Sequence, residues 1–332
     1  MKKGVFPHFC FLGCGAIAQQ HARMLKKLYP SIHLSFASRE TSKAVYYKTK
    51  CNGHKSYGSY EEALKDDSID IVFITTPHAY HAELAVLAAE HKKHIIVEKP
   101  ATRTLQELED IYIAVEKNNV RFTVAENYYY KPFIKVIREY VEKNYIGKVL
   151  FIELTKTNKN IISGWRTNKE LMGGGALLEG GIHWISVLLS LVNSDPKSVI
   201  AFKPDVSYET NIPFEDTLML NIQFENGIIG KLTHSWSIPN PFRGVGLSKI
   251  YGTQGTITFE SNGLFVWCYG KKNKIKFISP FKFLGFQEML KSFIEGYITN
   301  KEWQPSFQRI NSELKVIHAA YHSLESQRLE NI

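Results

Sequence analysis

The sequence contains little cysteine, which excludes a disulfide framework. Its four cysteines are Cys10, Cys14, Cys51 and Cys268, with no CxxC pair and no His/Cys cluster at zinc-binding spacing. No bound metal is therefore expected. The thiols are predicted to be reduced and mostly buried, as is typical of a cytoplasmic protein.

The sequence also lacks long apolar runs and clusters of basic residues. No apolar stretch approaches the roughly 20 residues of a transmembrane helix, so no membrane partner is expected. The apolar segment after Lys2 mimics a secretion signal, but Pro7 and His8 interrupt it. The absence of any run of five basic residues argues against a nucleic-acid partner. The formal charge is nevertheless +9, which fits an anionic cofactor or substrate and equally a generally basic proteome.

A chain of 332 residues exceeds one typical hydrophobic core, so two domains are expected. Residues 1–125 alternate between strand-like and helix-like segments, and the continuous apolar run Ile71–Ile74 suits a sheet covered on both faces. Ser59 with Glu62, and Thr104 with Glu107, form capping boxes before two helices. The pattern predicts an α/β fold with a doubly wound parallel sheet of the Rossmann type.

Residues 126–332 follow a different pattern, with seven strand-like segments in a row and no helix between them. These are 198–202, 217–224, 228–237, 247–251, 255–259, 264–268 and 274–278. Helices are predicted over 132–145, 177–191, 286–298 and 308–327. The pattern predicts a second α/β domain with an open, mostly antiparallel sheet that helices cover on one face. The C-terminal helix is a candidate to pack back on the first domain.

A glycine-rich turn lies between the first strand and the first helix. Gly13 suits the tight turn, Gly15 lets the backbone approach a pyrophosphate, and Ala18 permits close helix packing. The N–H groups at the helix start, which include those of Ala16 and Ile17, suit the phosphates. In this context the motif predicts dinucleotide binding.

The end of the second strand is expected to select between NAD and NADP. Ser38 and Arg39 suit a 2′-phosphate through a hydroxyl and a charged fork. Glu40 could instead bind the ribose, and Arg39 could stack on the adenine with either cofactor. We favour NADP.

Two further segments leave strands at the same edge of the sheet. Thr75, Thr76 and Pro77 are expected to line the nicotinamide ribose. His81 is expected either to contact the cofactor or to be satisfied by solvent. Lys99 follows the apolar strand that ends at Val97, so a lysine and a phosphate-binding turn share one edge. The combination predicts a nicotinamide-dependent oxidoreductase.

A second candidate site lies in the segment Gly173–His183. Glu179 and His183 are four residues apart and share a helix face. A histidine beside a carboxylate can accept a proton from a sugar hydroxyl. The alternative is a buried, hydrogen-bonded structural histidine.

Together these motifs resemble the glucose–fructose oxidoreductase, inositol dehydrogenase and MocA (Gfo/Idh/MocA) family. The resemblance rests on Gly13–Ala18, Glu98-Lys99-Pro100, Glu126–Pro132, Trp165-Arg166, Gly173–His183 and Gly252–Thr256. It implies a Rossmann domain followed by a substrate-binding domain whose open sheet supports dimers or tetramers. It also implies hydride transfer at a hydroxyl-bearing carbon of a sugar, cyclitol or nucleotide-sugar.

The resemblance also implies roles for individual residues. Lys99 is implied beside the substrate oxygen and the nicotinamide, and His183 is implied as the general acid/base with Glu179. The residues implied to line the substrate pocket are Tyr128, Trp165, Arg166, Glu179 and His183, and those implied on the cofactor side include Glu98 and Asn127. The bond before Pro100 is expected to be cis. Many relatives have aspartate where this chain has Glu179 and Ser186, which puts the proton relay in question.

The substrate is less defined than the reaction. The net charge, with Lys131, Arg166 and Arg243, favours an anionic ligand such as a nucleotide-diphosphate sugar. The alternatives are a free-sugar or cyclitol dehydrogenase and a keto-sugar reductase. A nicotinamide-binding sensor without turnover is a further alternative, against which the presence of Lys99 and His183 argues.

Overall fold

A computed structural model of the chain describes residues 6–206, 213–279 and 284–332, without the side chain of Arg243. The described residues form two compact units. The first comprises the residues up to Glu126 together with Phe286–Ile310, and the second comprises Asn127–Gly285 and Asn311–Ile332. The segment 286–310, which the sequence pattern assigned to the second domain, therefore clusters with the first unit.

The first unit contains a parallel sheet of six strands within its described residues. In chain order they are β1 (Phe9–Leu12), β2 (Leu34–Ala37), β3 (Ser56–Tyr57), β4 (Ile71–Ile74), β5 (His94–Val97) and β6 (Phe122–Val124). The spatial order is β3-β2-β1-β4-β5-β6. All residues of β1, β2 and β4 are buried, as a sheet covered on both faces requires. The predicted doubly wound α/β fold is confirmed.

The helices that follow these strands are α1 (Ala16–Leu28), α2 (Thr41–Lys50), α3 (Tyr60–Leu64), α4 (His81–Glu90) and α5 (Leu105–Asn118). Both predicted capping boxes begin helices, because Ser59 and Thr104 accept hydrogen bonds from the N–H groups three residues on. The sequence analysis missed α2 and β3. In α2 only Ala44 is buried, so the helix lacks the apolar periodicity that reveals a helix in sequence.

The second unit contains a nine-stranded sheet in the part of the chain that the structure describes. Its strands are β7 (Val149–Thr157), β8 (Pro196–Phe202), β9 (Thr217–Phe224), β10 (Ile229–Ser235), β11 (Leu247–Gly252), β12 (Gly255–Glu260), β13 (Phe265–Tyr269), β14 (Lys274–Phe277) and β15 (Glu330–Asn331). The order is β14-β13-β12-β11-β7-β10-β9-β8-β15. The pair of β7 and β10 is parallel, whereas the other pairs are antiparallel.

One face of this sheet is buried and the other is open. Along β9 the residues alternate between buried Leu218 and Leu220 and exposed Met219 and Asn221. The α-helices of this part of the chain are α6 (Pro132–Glu142), α7 (Lys169–Met172), α8 (Ile182–Leu191) and α9 (Pro241–Gly244). A π-helical segment, Leu177–Gly181, directly precedes α8, where the sequence predicted a single α-helix from residue 177.

Two helices lie near the C-terminus, α10 (Phe286–Thr299) and α11 (Phe307–Ser326). Hydrogen bonds tie the segment around α10 to the first unit. The Arg121 guanidinium donates to the Gly296 carbonyl at 2.8 Å, and the Thr123 hydroxyl donates to the Pro305 carbonyl at 2.9 Å. These bonds explain why residues 286–310 cluster with the first unit.

One helical stretch among the described residues, Lys169–Leu191, is long and apolar enough by composition to span a membrane. Its most apolar window is 78% buried within the structure, as in the core helix of a globular unit, so the composition is weak evidence for a span. The sequence analysis expected no such stretch, because glycines and Glu179 interrupt its apolar runs.

Candidate functional site

The register of the first sheet brings the predicted cofactor residues to one edge. The last residues of β1, β2, β4 and β5 pair in register as neighbours in the sheet, and these are Leu12, Ala37, Ile74 and Val97. The residues that follow them in the chain are Gly13, Ser38, Thr75 and Glu98. Ligands of open α/β sheets bind at this carboxyl edge.

The glycine turn is held close to the neighbouring strand end. Gly13 has a φ angle of +108°, and a Cβ atom there would lie 2.9 Å from the Thr75 carbonyl oxygen. The Thr75 hydroxyl donates to the Gly13 carbonyl at 2.8 Å. Any side chain at Gly13 would therefore strain the backbone and push this contact apart.

The start of α1 has the features of an anion site. Gly15 is the N-cap and makes no side-chain capping bond, and no acidic residue lies in the first turn. A Cβ at Gly15 would meet no atom within 4 Å among the described residues. The N–H groups after Gly15, including those of Ala16 and Ile17, thus lie at the positive end of the helix dipole beside open space.

Thr76 supplies a second sign of a polar ligand. Its hydroxyl oxygen is buried and has no hydrogen-bond partner among the described residues. A buried hydroxyl without a partner costs about 1–3 kcal/mol, which a bound polar group would offset. Pro77, the next residue, is the N-cap of the short 3₁₀ helix His78–Tyr80. The open glycine turn and this hydroxyl fit a dinucleotide.

Three polar residues follow β2, and the side chain of each has a different partner. The Ser38 hydroxyl accepts a hydrogen bond from the Glu40 N–H at 3.2 Å. The Glu40 carboxylate is 61% exposed and pairs with Lys43 at 2.5 Å. The Arg39 guanidinium lies 5.1 Å from the centre of the Tyr80 ring. Glu40 is thus engaged by α2, whereas Arg39 stacks on a protein ring.

His81 ties two loops together. The ring is fully buried, and Nδ1 and Nε2 lie 2.9 and 3.0 Å from the carbonyl oxygens of Pro100 and Thr76. Burial, reinforced by nearby His78, lowers the pKa of His81 to about 4. Burial excludes solvent as the partner of the ring, so that alternative is corrected, whereas contact with the cofactor stays a prediction. A neutral imidazole carries one N–H, so one ring nitrogen donates to one of these two main-chain carbonyls.

Glu98 contacts a residue that the sequence analysis missed. Nε2 of His21, on α1, donates to Glu98 Oε1 at 2.6 Å, and the Lys99 N–H donates to Oε2 at 3.2 Å. Burial alone would raise the pKa of Glu98, but the hydrogen bond from His21 and the charges of His21, Lys99 and His81 together outweigh it and lower the pKa. Glu98 therefore holds the backbone of Lys99, and the peptide bond between Lys99 and Pro100 is cis.

The second unit brings together the residues implied to bind substrate. The Arg166 guanidinium donates to Glu179 Oε1 at 2.8 Å and lies 4.6 Å from the centre of the Trp165 ring. The His183 ring stacks on Tyr128, with centroids 4.3 Å apart and an interplanar angle of 15°. Glu179 and His183 extend from one continuous helical segment.

The structure also places the other residues that the sequence singled out. The Asn127 amide donates to the Leu284 carbonyl at 2.6 Å, so this side chain supports a loop. The buried Lys131 ammonium lies 3.7 Å from the centre of the Tyr128 ring. Ser186 is fully buried within α8. Lys99 belongs to the first unit and is half-buried there.

Two glycines of the π-helical segment lie in close contact with their surroundings. A Cβ atom at Gly180 would lie 2.8 Å from Nε2 of the buried His234 on β10. A Cβ at Gly181 would come within 2.9 Å of the Leu177 side chain. The two glycines therefore let the segment pack closely on the sheet, and its wider turn falls at the candidate site, where π-helical turns often occur.

Within the described residues, no group of three or more His, Cys, Asp and Glu side chains could hold a metal ion.

Two family models match most of the chain. Residues 8–126 match the oxidoreductase family with an NAD-binding Rossmann fold, and residues 134–258 match the Gfo/Idh/MocA C-terminal domain. The chain belongs to the Gfo/Idh/MocA oxidoreductase family.

Individual members of the family are distant relatives. Levoglucosan dehydrogenase of Pseudarthrobacter phenanthrenivorans is 29% identical over 230 residues, which span 62% of this chain and 59% of that protein. Trans-1,2-dihydrobenzene-1,2-diol dehydrogenase of Danio rerio is 26% identical over 76% of this chain and 73% of its own. A solved levoglucosan dehydrogenase complex with NADH and levoglucosan has a TM-score of 0.88 at 22% identity, over 98% of this chain and 99% of that one.

In this Gfo/Idh/MocA protein, His81 makes stability depend on pH. The pKa of His81 is about 4 in the folded state and ordinarily 6.5. Its contribution to the free energy of unfolding is therefore complete above pH 6.5 and is lost as pH falls towards 4. We expect the free energy of unfolding in urea to drop by about 2 kcal/mol from this residue between pH 7 and pH 5.

The variant His81→Gln, which cannot titrate, should lack this component, whereas the exposed-residue control His322→Gln should retain it. An identical pH dependence in His81→Gln and the wild type would contradict the assignment.

Proposed function

We propose that this protein is an NAD(P)-dependent dehydrogenase or reductase that acts on a CH–OH group of a neutral sugar or cyclitol ring. The carrying observation is the ion pair between Arg166 and Glu179 beside the stacked rings of His183 and Tyr128. A carboxylate and a histidine suit hydroxyl groups, and aromatic faces suit a sugar ring. The named activity of the relative levoglucosan dehydrogenase supports the same substrate class.

The charges around this site favour a neutral substrate over a nucleotide-diphosphate sugar. Arg166 is paired with Glu179, and Lys131 is buried over Tyr128, so both cations are already engaged. The third cation named from the sequence, Arg243, lies outside the described side chains. A diphosphate bound to Arg166 would share the guanidinium with Glu179, and its negative charge would lie close to that carboxylate.

In the proposed mechanism, His183 accepts the hydroxyl proton of the substrate and returns it in the reverse reaction. Lys99 donates to the substrate oxygen and stabilises the charge that develops there. Glu179 fixes the orientation of a neighbouring hydroxyl. The nicotinamide cofactor, bound at the glycine turn, supplies the hydride acceptor. His21 acts on Lys99 through Glu98, since it fixes the carboxylate that holds the Lys99 N–H.

The first test is the absorbance of reduced nicotinamide during incubation with NADP or NAD and a panel of anhydrosugars, free sugars, inositols and UDP-sugars. A signal with a neutral ring compound supports the proposal. Turnover of a UDP-sugar alone would contradict the neutral substrate. Cofactor binding without turnover in either direction would favour a sensor.

Two substitutions test the residue roles. Lys99→Met and His183→Asn should each lower kcat by about 10²–10⁴-fold, because each removes a group that acts in the transition state. The dissociation constant for NADP, measured by fluorescence titration, should change less than about threefold. Unchanged turnover in both variants would refute these roles. Lys117→Met and His322→Asn make the same chemical changes at exposed positions and should leave kcat unaltered.

We propose NADP as the preferred cofactor. Glu40 pairs with Lys43 at the surface, so the acidic side chain that could hold a ribose hydroxyl already has a cation as its partner. Ser38 and Arg39 follow β2 at the edge where the adenosine ribose of a dinucleotide lies.

Arg39→Gln should therefore raise KM for NADP by about tenfold, the worth of one charge-assisted bond, and change KM for NAD little. The ratio of the two KM values is the measurement. Lys50→Gln, which removes a charge at the end of α2, is the control. Equal effects on both cofactors would contradict a phosphate-binding role and indicate stacking on the adenine.

We also propose that the open face of the nine-stranded sheet joins copies of this chain in a homodimer or homotetramer. The face carries exposed apolar side chains, among them Phe151, Met219 and Trp267 with exposed fractions of 42%, 47% and 45%. An apolar face of this kind is typical of an interaction surface. The double variant Met219→Lys/Trp267→Glu should lower the mass measured by light scattering, whereas Ile113→Glu should not. A monomeric wild type would refute the proposal.

A further inference from the structure

The helical segment that carries Glu179 and His183 starts at a buried glycine run, where its first N–H groups need acceptors. Four consecutive N–H groups at this helix start donate to acceptors on only two residues. Both residues are distant in the sequence. The donors and acceptors are Gly175 N to Tyr321 Oη (3.1 Å), Ala176 N to Glu215 O (2.8 Å), Leu177 N to Glu215 Oε1 (2.9 Å) and Leu178 N to Tyr321 Oη (3.2 Å).

The two capping residues are also bonded to each other. The Tyr321 hydroxyl donates to Glu215 Oε1 at 3.0 Å. A Cβ atom at Gly175 would overlap the Glu215 carboxylate, and one at Gly174 would lie 2.8 Å from the Tyr321 hydroxyl. The glycine run therefore makes room for this cap, and neither Glu215 nor Tyr321 contributes to the proposed chemistry.

The cap is one helical turn from the candidate site. The Glu179 N–H donates to the Gly175 carbonyl at 3.0 Å, so the position of Gly175 sets that of Glu179. Glu179 in turn binds Arg166, and His183 follows one turn later against Tyr128. A displacement at the cap would therefore pass directly to these side chains.

We propose that Glu215 and Tyr321 are positioning residues, whose cap holds Glu179 and His183 in place when Glu215 is protonated and loosens when Glu215 ionises. The effect on Glu179 and His183 rests on the proposed function, whereas the existence of the cap is independent of that function.

The surroundings of Glu215 explain the direction of the effect. Enclosure of the carboxyl group raises its pKa from 4.5 to about 7, although the bonds from Leu177 and Tyr321 oppose the shift. Lys203, beyond β8, is the cation that faces it and also lowers the pKa. On α11, burial beside Glu215 raises the pKa of Tyr321 well above its usual value, so the phenol stays neutral, and the His318 ring lies 6.4 Å from the Tyr321 ring.

Because the pKa is higher in the closed cap than in solvent, protonation favours closure and a rise in pH favours opening. With the two pKa values given, the opening equilibrium should increase about tenfold between pH 6 and pH 8. The rise extends from about pH 4.5 to about pH 7, so its upper part falls between pH 6 and pH 8.

The test is amide hydrogen exchange of residues 174–183 in the full-length protein at pH 6 and pH 8, corrected for the intrinsic pH dependence of exchange. The wild type should lose about tenfold in protection over this range. Glu215→Gln keeps an oxygen acceptor for both Oε1 bonds but cannot ionise, so its protection should be independent of pH. Tyr321→Phe removes three bonds and should exchange at least about tenfold faster at both pH values.

The matched control is Glu260→Gln, a buried carboxylate of the same unit that accepts the N–H groups of Asn262 and Leu264. It should retain the wild-type pH dependence at residues 174–183. Wild-type protection that is unchanged between pH 6 and pH 8, or pH dependence that persists in Glu215→Gln, would overturn the proposal.

Turnover gives the functional readout. For a compound found in the substrate panel, the ratio of kcat for Glu215→Gln to kcat for the wild type should rise with pH, while the dissociation constant for NADP stays constant. A constant ratio alongside pH-dependent protection would refute the link to Glu179 and His183 but not the cap. Absence of turnover with every compound would contradict the proposed function, and hydrogen exchange would then decide the cap alone.

Discussion

The N–H groups at the start of a buried helix must find acceptors, and the two units meet this requirement in opposite ways. In the first unit the start of α1 is left without a side-chain cap, beside a glycine with open space around it. In the second unit the helix start at Gly175 is closed by Glu215 and Tyr321. The same backbone requirement is thus left open to a ligand in one unit and is met by side chains in the other.

Two enclosed carboxyl groups, Glu98 and Glu215, illustrate how the partner decides the charge state of an acid. Glu98 and Glu215 are both enclosed, and enclosure alone disfavours ionisation of each. Glu98 has an imidazole donor in His21, and its pKa falls below the ordinary value. Glu215 has a neutral phenol and a main-chain N–H, and its pKa rises. An ionised Glu98 is compatible with a fixed Lys99, whereas Glu215 is poised to change state near neutrality.

The sequence predicted those elements whose pattern lies within a few neighbouring residues. The glycine turn, the capping boxes at Ser59 and Thr104 and the alternation along β9 each lie within a few residues, and the structure confirms these elements. The predicted division into two domains at residue 125 stays a prediction. In the structure, hydrogen bonds of Arg121 and Thr123 join residues 286–310 to the first compact unit. Helix α2 was missed because it buries a single alanine and carries no apolar stripe.

The rest depends on partners that are far apart in the chain. His21 and Glu98 are separated by 77 residues, and Tyr321 and Gly175 by 146. No local pattern marks such pairs, since each residue alone is an ordinary helix or loop residue. The glycines at 180 and 181 show the same limit, because the reason for Gly180 is the His234 ring on β10.

The net charge of the whole chain and the charges at the candidate site favour different ligands. A net charge of +9 describes the summed surface and bears on long-range attraction. Recognition of a phosphate needs a cation that is free to form new bonds at short range. Arg166 is instead held by Glu179, and a phosphate bound to it would share the guanidinium with that carboxylate. This local ion pair is the reason why we propose a neutral substrate, since hydroxyl groups can bind both partners without separating them.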